Sequence, residues 1–356
     1  LDPLIEGALL GHAGPIGAVL RWVLAYEAGD DAALAVLSPE VRPFHHYFRQ
    51  NFSQVANPPI DPLREKRAMS LKTRFGNDGN FLALDHSHSE ILLTETPVLL
   101  AQELAAITQH FAHRITRVQA VYEVAKGGDG LRAALARMVA EAEAALVAGK
   151  PYLLLSDTAV DAHHAPIPMI LAISAVQSHL VKRKLRKRAS ILVETDACSD
   201  VHALAVMIGA GATVVHPALA EALVEARHAR GLLGELTLDV ARENLREALS
   251  QGLLKIMSKM GISVVSAYRG GLNFEAIGLS RALVAEFFPG LSSRLSGIGL
   301  AGIAGHVARL HAVAFPPVAD VAALPIGGFY RVRASAEQHA WAGEHIHALQ
   351  TSVTNG

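Results

Sequence analysis

From residue 131 onward the hydrophobic positions fall into alternating blocks. Leu131, Leu135, Met138, Val139, Ala142 and Leu146 recur at helical spacing, and Gly149 and Pro151 close that block as a helix stop. Directly after it, Tyr152-Leu153-Leu154-Leu155 runs into Ser156-Asp157, the pattern of a short strand buried on both faces. The same alternation predicts a helix over 169–185, a strand over 191–193, a helix from Val201, a strand over 213–215 and a helix over 218–227. A helix over 238–249 and a short one over 255–260 lead to a strand expected over 262–266, and Ser280 reads as the N-cap of a helix ending at Phe287. Helix and strand in strict alternation mean parallel strands joined by helical crossovers, hence an α/β fold.

The first 130 residues lack this regularity. Pro58, Pro59 and Pro62 exclude an interior helix or a central strand over 55–62, which predicts a stiff, extended segment. Residues 76–80 and 127–130 are rich in Gly, Asn and Asp and read as turns. The N-terminal third is therefore expected to be irregular and proline-rich.

Polar residues gather where the predicted strands end: Asp157, Glu194, His216 and the pair Tyr268-Arg269. Parallel α/β folds take their ligands at the carboxyl edge of the strands, so chemistry is expected there, although loop closure and helix capping use the same residue types.

Composition narrows the classes. The chain has 356 residues, 51% hydrophobic and 18% charged, with a formal net charge of -1, which excludes a disordered polyelectrolyte and a global field for nucleic acid. No apolar run approaches the roughly 18 residues that a membrane-crossing helix needs. Acidic residues stand where a secretion leader would be basic, and position 1 is not methionine, so either something was removed or this is a piece of a longer chain; the single cysteine points to a reducing, cytoplasmic setting. Cys198 is the one cysteine, so the chain cannot carry a disulfide framework or ligate an iron–sulfur cluster by itself. Its acidic neighbours Asp196 and Asp200 oppose a thiolate.

Eighteen histidines raise a metal question, sharpest at His86 and His88. In a strand the two would share a face and could reach one ion, giving a metal-dependent hydrolase on a barrel as one alternative; a solvated turn is the other. His45-His46, His163-His164 and His345 with His347 are weaker pairs. Gly297-Ile298-Gly299-Leu300-Ala301-Gly302 matches a dinucleotide-binding fingerprint in letters, but residues 291–296 look like a loop where the fingerprint needs a strand. A turn with tight helix packing is expected instead. Six cations within 182–188 read as a solvated helix end.

Two stretches carry a family likeness. Residues 53–65, reading Ser-Gln-Val-Ala-Asn-Pro-Pro-Ile-Asp-Pro-Leu-Arg-Glu and followed by Met69-Ser70-Leu71-Lys72-Thr73, form the first. Residues 255–263, reading Lys-Ile-Met-Ser-Lys-Met-Gly-Ile-Ser, with Tyr268-Arg269-Gly270-Gly271 and Asn273-Phe274-Glu275-Ala276, form the second. Together they closely resemble the central domain of the bacterial glutamate synthase large (alpha) subunit. The likeness extends over roughly residues 35 to 350; residues 1–28 depart from it, as does Thr195-Asp196-Ala197-Cys198-Ser199 after Glu194.

The resemblance implies an incomplete (βα)-barrel-like central domain over 35–325, preceded by a segment over 1–34 and followed by one over 326–356 that leads toward an FMN domain. It implies a non-catalytic scaffold between a glutaminase domain and an FMN synthase domain, forming a wall of the ammonia channel. FMN and a cysteine-ligated iron–sulfur cluster are expected in the parent enzyme's other domain, with a small electron-supplying subunit as a further partner, and this chain alone is expected to be inactive. Asn57, Pro58, Arg64, Ser258, Lys259 and Arg269 are the channel or interface candidates. A free-standing interaction protein is the third alternative.

Overall fold

The computed structural model describes residues 32–51, 53–59, 61–76, 91–316, 337–341 and 343–355. Its strands are β1 Phe48–Gln50, β2 Thr73–Phe75, β3 Leu92–Thr94, β4 Ile115–Gln119, β5 Val121–Glu123, β6 Tyr152–Ser156, β7 His164–Pro166, β8 Ser190–Thr195, β9 Val214–Pro217, β10 Phe274–Leu279 and β11 Ser292–Ile298. The helices are α1 Pro62–Ala68, α2 Ala101–His110, α3 Gly127–Val147, α4 Met169–Lys182, α5 Val201–Ala210, α6 Ala218–Ala229, α7 Leu238–Lys259, α8 Val265–Tyr268, α9 Arg281–Phe287, α10 Leu300–Ala314 and α11 Gly343–Asn355. Among these, no helix is long and apolar enough to cross a membrane.

Strands β4, β6, β8 and β9 form a parallel sheet in that order, each joined to the next by a crossover containing a helix. The register sets Val118, Leu155, Val193 and Val215 in one row. Alternation then sorts the apolar runs. Leu153, Leu155, Ile191 and Val193 enter a large core with Leu131 and Met138 of α3, Leu171 of α4 and Leu204 of α5. Tyr152, Leu154, Leu192 and Val214 enter a second core with Phe75, Leu99, Leu104 and Ile107. Both faces are therefore covered, each buried leucine contributing about 1.5–3 kcal/mol, which is why these strands carry no polar alternation.

Among the described residues the sheet does not close into a barrel. Beyond β9 its edge is met by Pro97 to Leu99, bonded to Val215, and a separate sheet sets β10 between antiparallel β1 and parallel β11. Side-chain caps start the helices as their sequences direct: Asp61 accepts from the Arg64 N–H, Asp200 from Ala203, Thr237 from Val240 and Ser280 from Leu283.

Four local expectations change. Residues 238–259 form one continuous helix, with Gly252 retained because a Cβ there would lie 2.5 Å from the Val201 side chain. The strand expected over 262–266 reduces to a single bridge between Val264 and Ser70, after which the chain turns into α8. Residues 291–296, read as a loop, fall almost entirely in edge strand β11 (292–298), whose mostly exposed side chains give no apolar pattern to see. The turn expected at 127–130 is the first turn of α3.

Candidate functional site

The carboxyl ends of β6, β8 and β11 converge on a cavity of about 430 Å³, within the range of small-molecule sites. Its wall is mostly apolar, with Phe44, Ile167, Met169, Ile298, Ile303 and Val307 among the lining residues. Asp157, Asp196, His45, Arg42 and His306 supply its polar points.

Asp157 follows directly on β6 and is buried. Its carboxylate accepts from the Thr195 hydroxyl and, at 3.3 Å, from the Asp196 N–H. Burial nevertheless dominates and pushes its pKa up to about 6. The folded state thus holds this proton more tightly than the unfolded chain does. The corresponding stability is fully present below the ordinary aspartate range and is lost as pH rises through about 6. Asp157→Asn is expected to gain up to about 3 kcal/mol near neutral pH and almost nothing below about pH 4. Urea midpoints of both proteins at the two pH values check this; an equal shift at both would refute it.

Beside the cavity, a short 3-10 turn over Phe44–Tyr47 places His45 and His46 against the N-cap of α5. His45 Nε2 lies 2.9 Å from Asp200 Oδ2, and Asp200 Oδ1 accepts the Ala203 N–H at 2.7 Å. Burial alone would raise the Asp200 carboxyl, but His45, His202 and the backbone donor hold it well below the ordinary range. Burial, with His45 beside it, lowers His46 to about 3. Buried His202 donates from Nε2 to the carbonyl of Phe48 at 2.8 Å. Arg42 pairs with Glu337 at 3.5 Å, both almost fully buried.

The remaining polar strand ends have other roles. Glu194 accepts from Arg117 and, at 2.7 Å, from Ser156. His216 donates to the Leu99 carbonyl at 3.1 Å, and Tyr268 donates to Gln50 at 3.0 Å. Arg186, in the basic run, donates to the carbonyls of Ala189 and Gly211, so one of those cations is structural. Cys198 is buried, and burial together with Asp200 pushes its thiol up; a lone thiol of this kind does not fit cluster ligation.

The structure brings the two likeness-bearing stretches together. Ser258 donates to the Pro59 carbonyl at 2.6 Å, Gly261 leaves room for Val55, Lys255 reaches Glu65 at 3.4 Å, and the Ser70 N–H bonds the Ser263 carbonyl at 2.8 Å. Asn57 is exposed on a bend, and Pro58 and Lys259 are half-buried. Arg64 is exposed in the first turn of α1, 3.2 Å from Asp61. Arg269 is half-buried after α8, and its charge adds to burial, the larger cause, in lowering the Arg186 pKa. None of these six lines the cavity. His86 and His88 lie outside the described residues. The His45–Asp200 contact joins residues 155 apart, so the adjacent histidines were the signal present in the sequence and their partner was not.

Comparison with known proteins places these features in a family. Residues 26–280 match the glutamate synthase central domain model. The chain is 50% identical over 327 residues to the NADPH glutamate synthase large chain of Azospirillum brasilense, covering 92% of this chain and 22% of that one. It is 36% identical over 338 residues to ferredoxin-dependent glutamate synthase 2 of Synechocystis, and 36% identical over 322 residues to the NADPH glutamate synthase large chain of Bacillus subtilis. These matches cover 91% and 90% of this chain and 22% and 21% of the relatives, so the chain spans about a fifth of their length.

Proposed function

This chain belongs to the glutamate synthase central-domain family, and from that membership we propose that it is a scaffold between a glutaminase domain and an FMN synthase domain, forming one wall of the path along which ammonia passes. In this reading residues 35–325 are the central domain and residues 326–356 lead toward the FMN domain. FMN and the iron–sulfur cluster belong to that following domain, a small electron-supplying subunit serves the assembled enzyme, and the whole works in the cytoplasm.

The observation that supports it is how the 55–59 segment, exposed at Ala56 and Asn57, is held. Pro58 keeps Asn57 out of the helical region, and Ser258 and Gly261 grip the chain on either side of it through Pro59 and Val55. An exposed amide on a stiff backbone can donate to and accept from a small neutral molecule without closing its passage. Arg64, Ser258, Lys259 and Arg269 then act as neighbours of that rim, positioning it or meeting the flanking domains.

The test substitutes this chain for the corresponding segment of the Azospirillum brasilense large chain and compares glutamine hydrolysed with glutamate formed. Asn57→Ala is expected to shift that ratio by at least about twofold while moving stability by less than about 0.5 kcal/mol, as an exposed substitution should. An unchanged ratio with lowered stability assigns Asn57 to turn closure alone and removes it from the path.

A further inference from the structure

We propose that His45, His46 and Asp200 form a binding site for a zinc-class divalent ion in the wall of the cavity. One ligand atom from each of the three lies within 4.8 Å of the others. An ion bonded at about 2.0–2.1 Å to tetrahedral ligands needs them about 3.3 Å apart, so side-chain shifts on the order of an ångström complete the sphere. His46 is half-buried and has that freedom, whereas Asp200 is pinned by its bond to the Ala203 N–H.

Neighbouring groups hold the ligands in place. His202 donates to the backbone carbonyls of His45 and Phe48, at 3.1 and 2.8 Å, and so fixes the turn that carries both imidazoles. Arg42, a positive charge close enough to act on His46, is engaged by Glu337. Two imidazoles with one carboxylate suit first-row transition ions such as zinc, iron(II), cobalt or nickel better than magnesium or calcium. His45 lines the cavity, as does Ser199 beside Asp200, so the site borders that space and leaves a fourth coordination position without a protein ligand. Water or a small cavity-bound donor would take it. The site stands independently of any role in an ammonia path.

The test is calorimetric titration of the untagged, chelator-stripped chain with zinc chloride, with zinc-edge X-ray absorption of the loaded protein. One equivalent is expected, coordinated by two imidazoles and oxygen without sulfur. His46→Ala should weaken binding more than about 100-fold, above what an outer partner contributes, and leaves the His45–Asp200 bond intact. The double change His86→Ala and His88→Ala should leave binding unaltered. No saturable binding, unchanged affinity in His46→Ala, or loss of the ion in the His86 and His88 double variant overturns the assignment. So does sulfur, or fewer than two imidazoles, in the X-ray signal, and that measurement decides the matter even where His46→Ala fails to fold.

Discussion

Gly297→Ala is expected to destabilise the chain by about 4 kcal/mol, while Gly299→Ala, two residues on, costs less than about 1 kcal/mol. A Cβ on Gly297 would stand 2.1 Å from the carbonyl oxygen of Gly278 and 2.5 Å from its carbon, and neither backbone can withdraw without parting β10 from β11. Gly278 itself has φ +83° and already faces Val36 closely. Gly299 precedes α10, and its nearest neighbour, the Ser280 hydroxyl, would lie 3.5 Å from an added Cβ. Gly302 completes the motif by letting Ile298 pack close to the helix. The glycines thus serve strand and helix packing, although a strand does precede them. Urea unfolding of the two variants measures the contrast, and equal midpoints would overturn the account.

Lys255→Met is expected to cost about 3–5 kcal/mol, because it leaves Glu65 buried without its counter-charge. Glu65 and Lys255 are 4% and 7% exposed and join α1 to α7, so water cannot replace the lost partner. Burial already raises the Glu65 pKa against the pull of Lys255. Without the lysine the carboxyl should rise further. Sign follows from linkage: a folded-state pKa above the unfolded one makes the variant most stable in acid and progressively less so as pH rises through the raised value. The double change Glu65→Leu with Lys255→Met should return to within about 1.5 kcal/mol of the parent, as buried pairs replaced by apolar side chains commonly do. Chemical unfolding of the parent and the two variants near pH 5 and near pH 8 checks both expectations. A Lys255→Met protein as stable as its parent at the higher pH would refute the buried-charge explanation.

The same contacts assemble the molecule. The pair Glu65 and Lys255, the Ser258 bond to Pro59 and the Ser70 bridge to Val264 all stitch the proline-rich segment to the end of α7 and the turn leading into α8. Neither stretch has internal periodicity strong enough to define its own place. Each is ordered by the other, and the exposed bend at Asn57 inherits its direction from that contact.

Features encoded within a few residues were legible in the chain alone. Tyr152 to Leu155 specify a strand because four successive apolar side chains suit a sheet buried on both faces. Ser280 starts a helix because its side-chain oxygen reaches the N–H group three residues ahead. The motif stretches identify the family for the same reason, being long and contiguous. Packing between distant segments set the rest. Residues 292–298 are a strand because an exposed edge takes its order from hydrogen bonds to β10 and needs no apolar alternation. Val265 to Tyr268 turn into a helix after one bridge, although Ile262, Val264 and Val265 favour a strand. Asp200 meets His45 because a contact across 155 residues depends on how two separate sheets pack, and no local spacing records that.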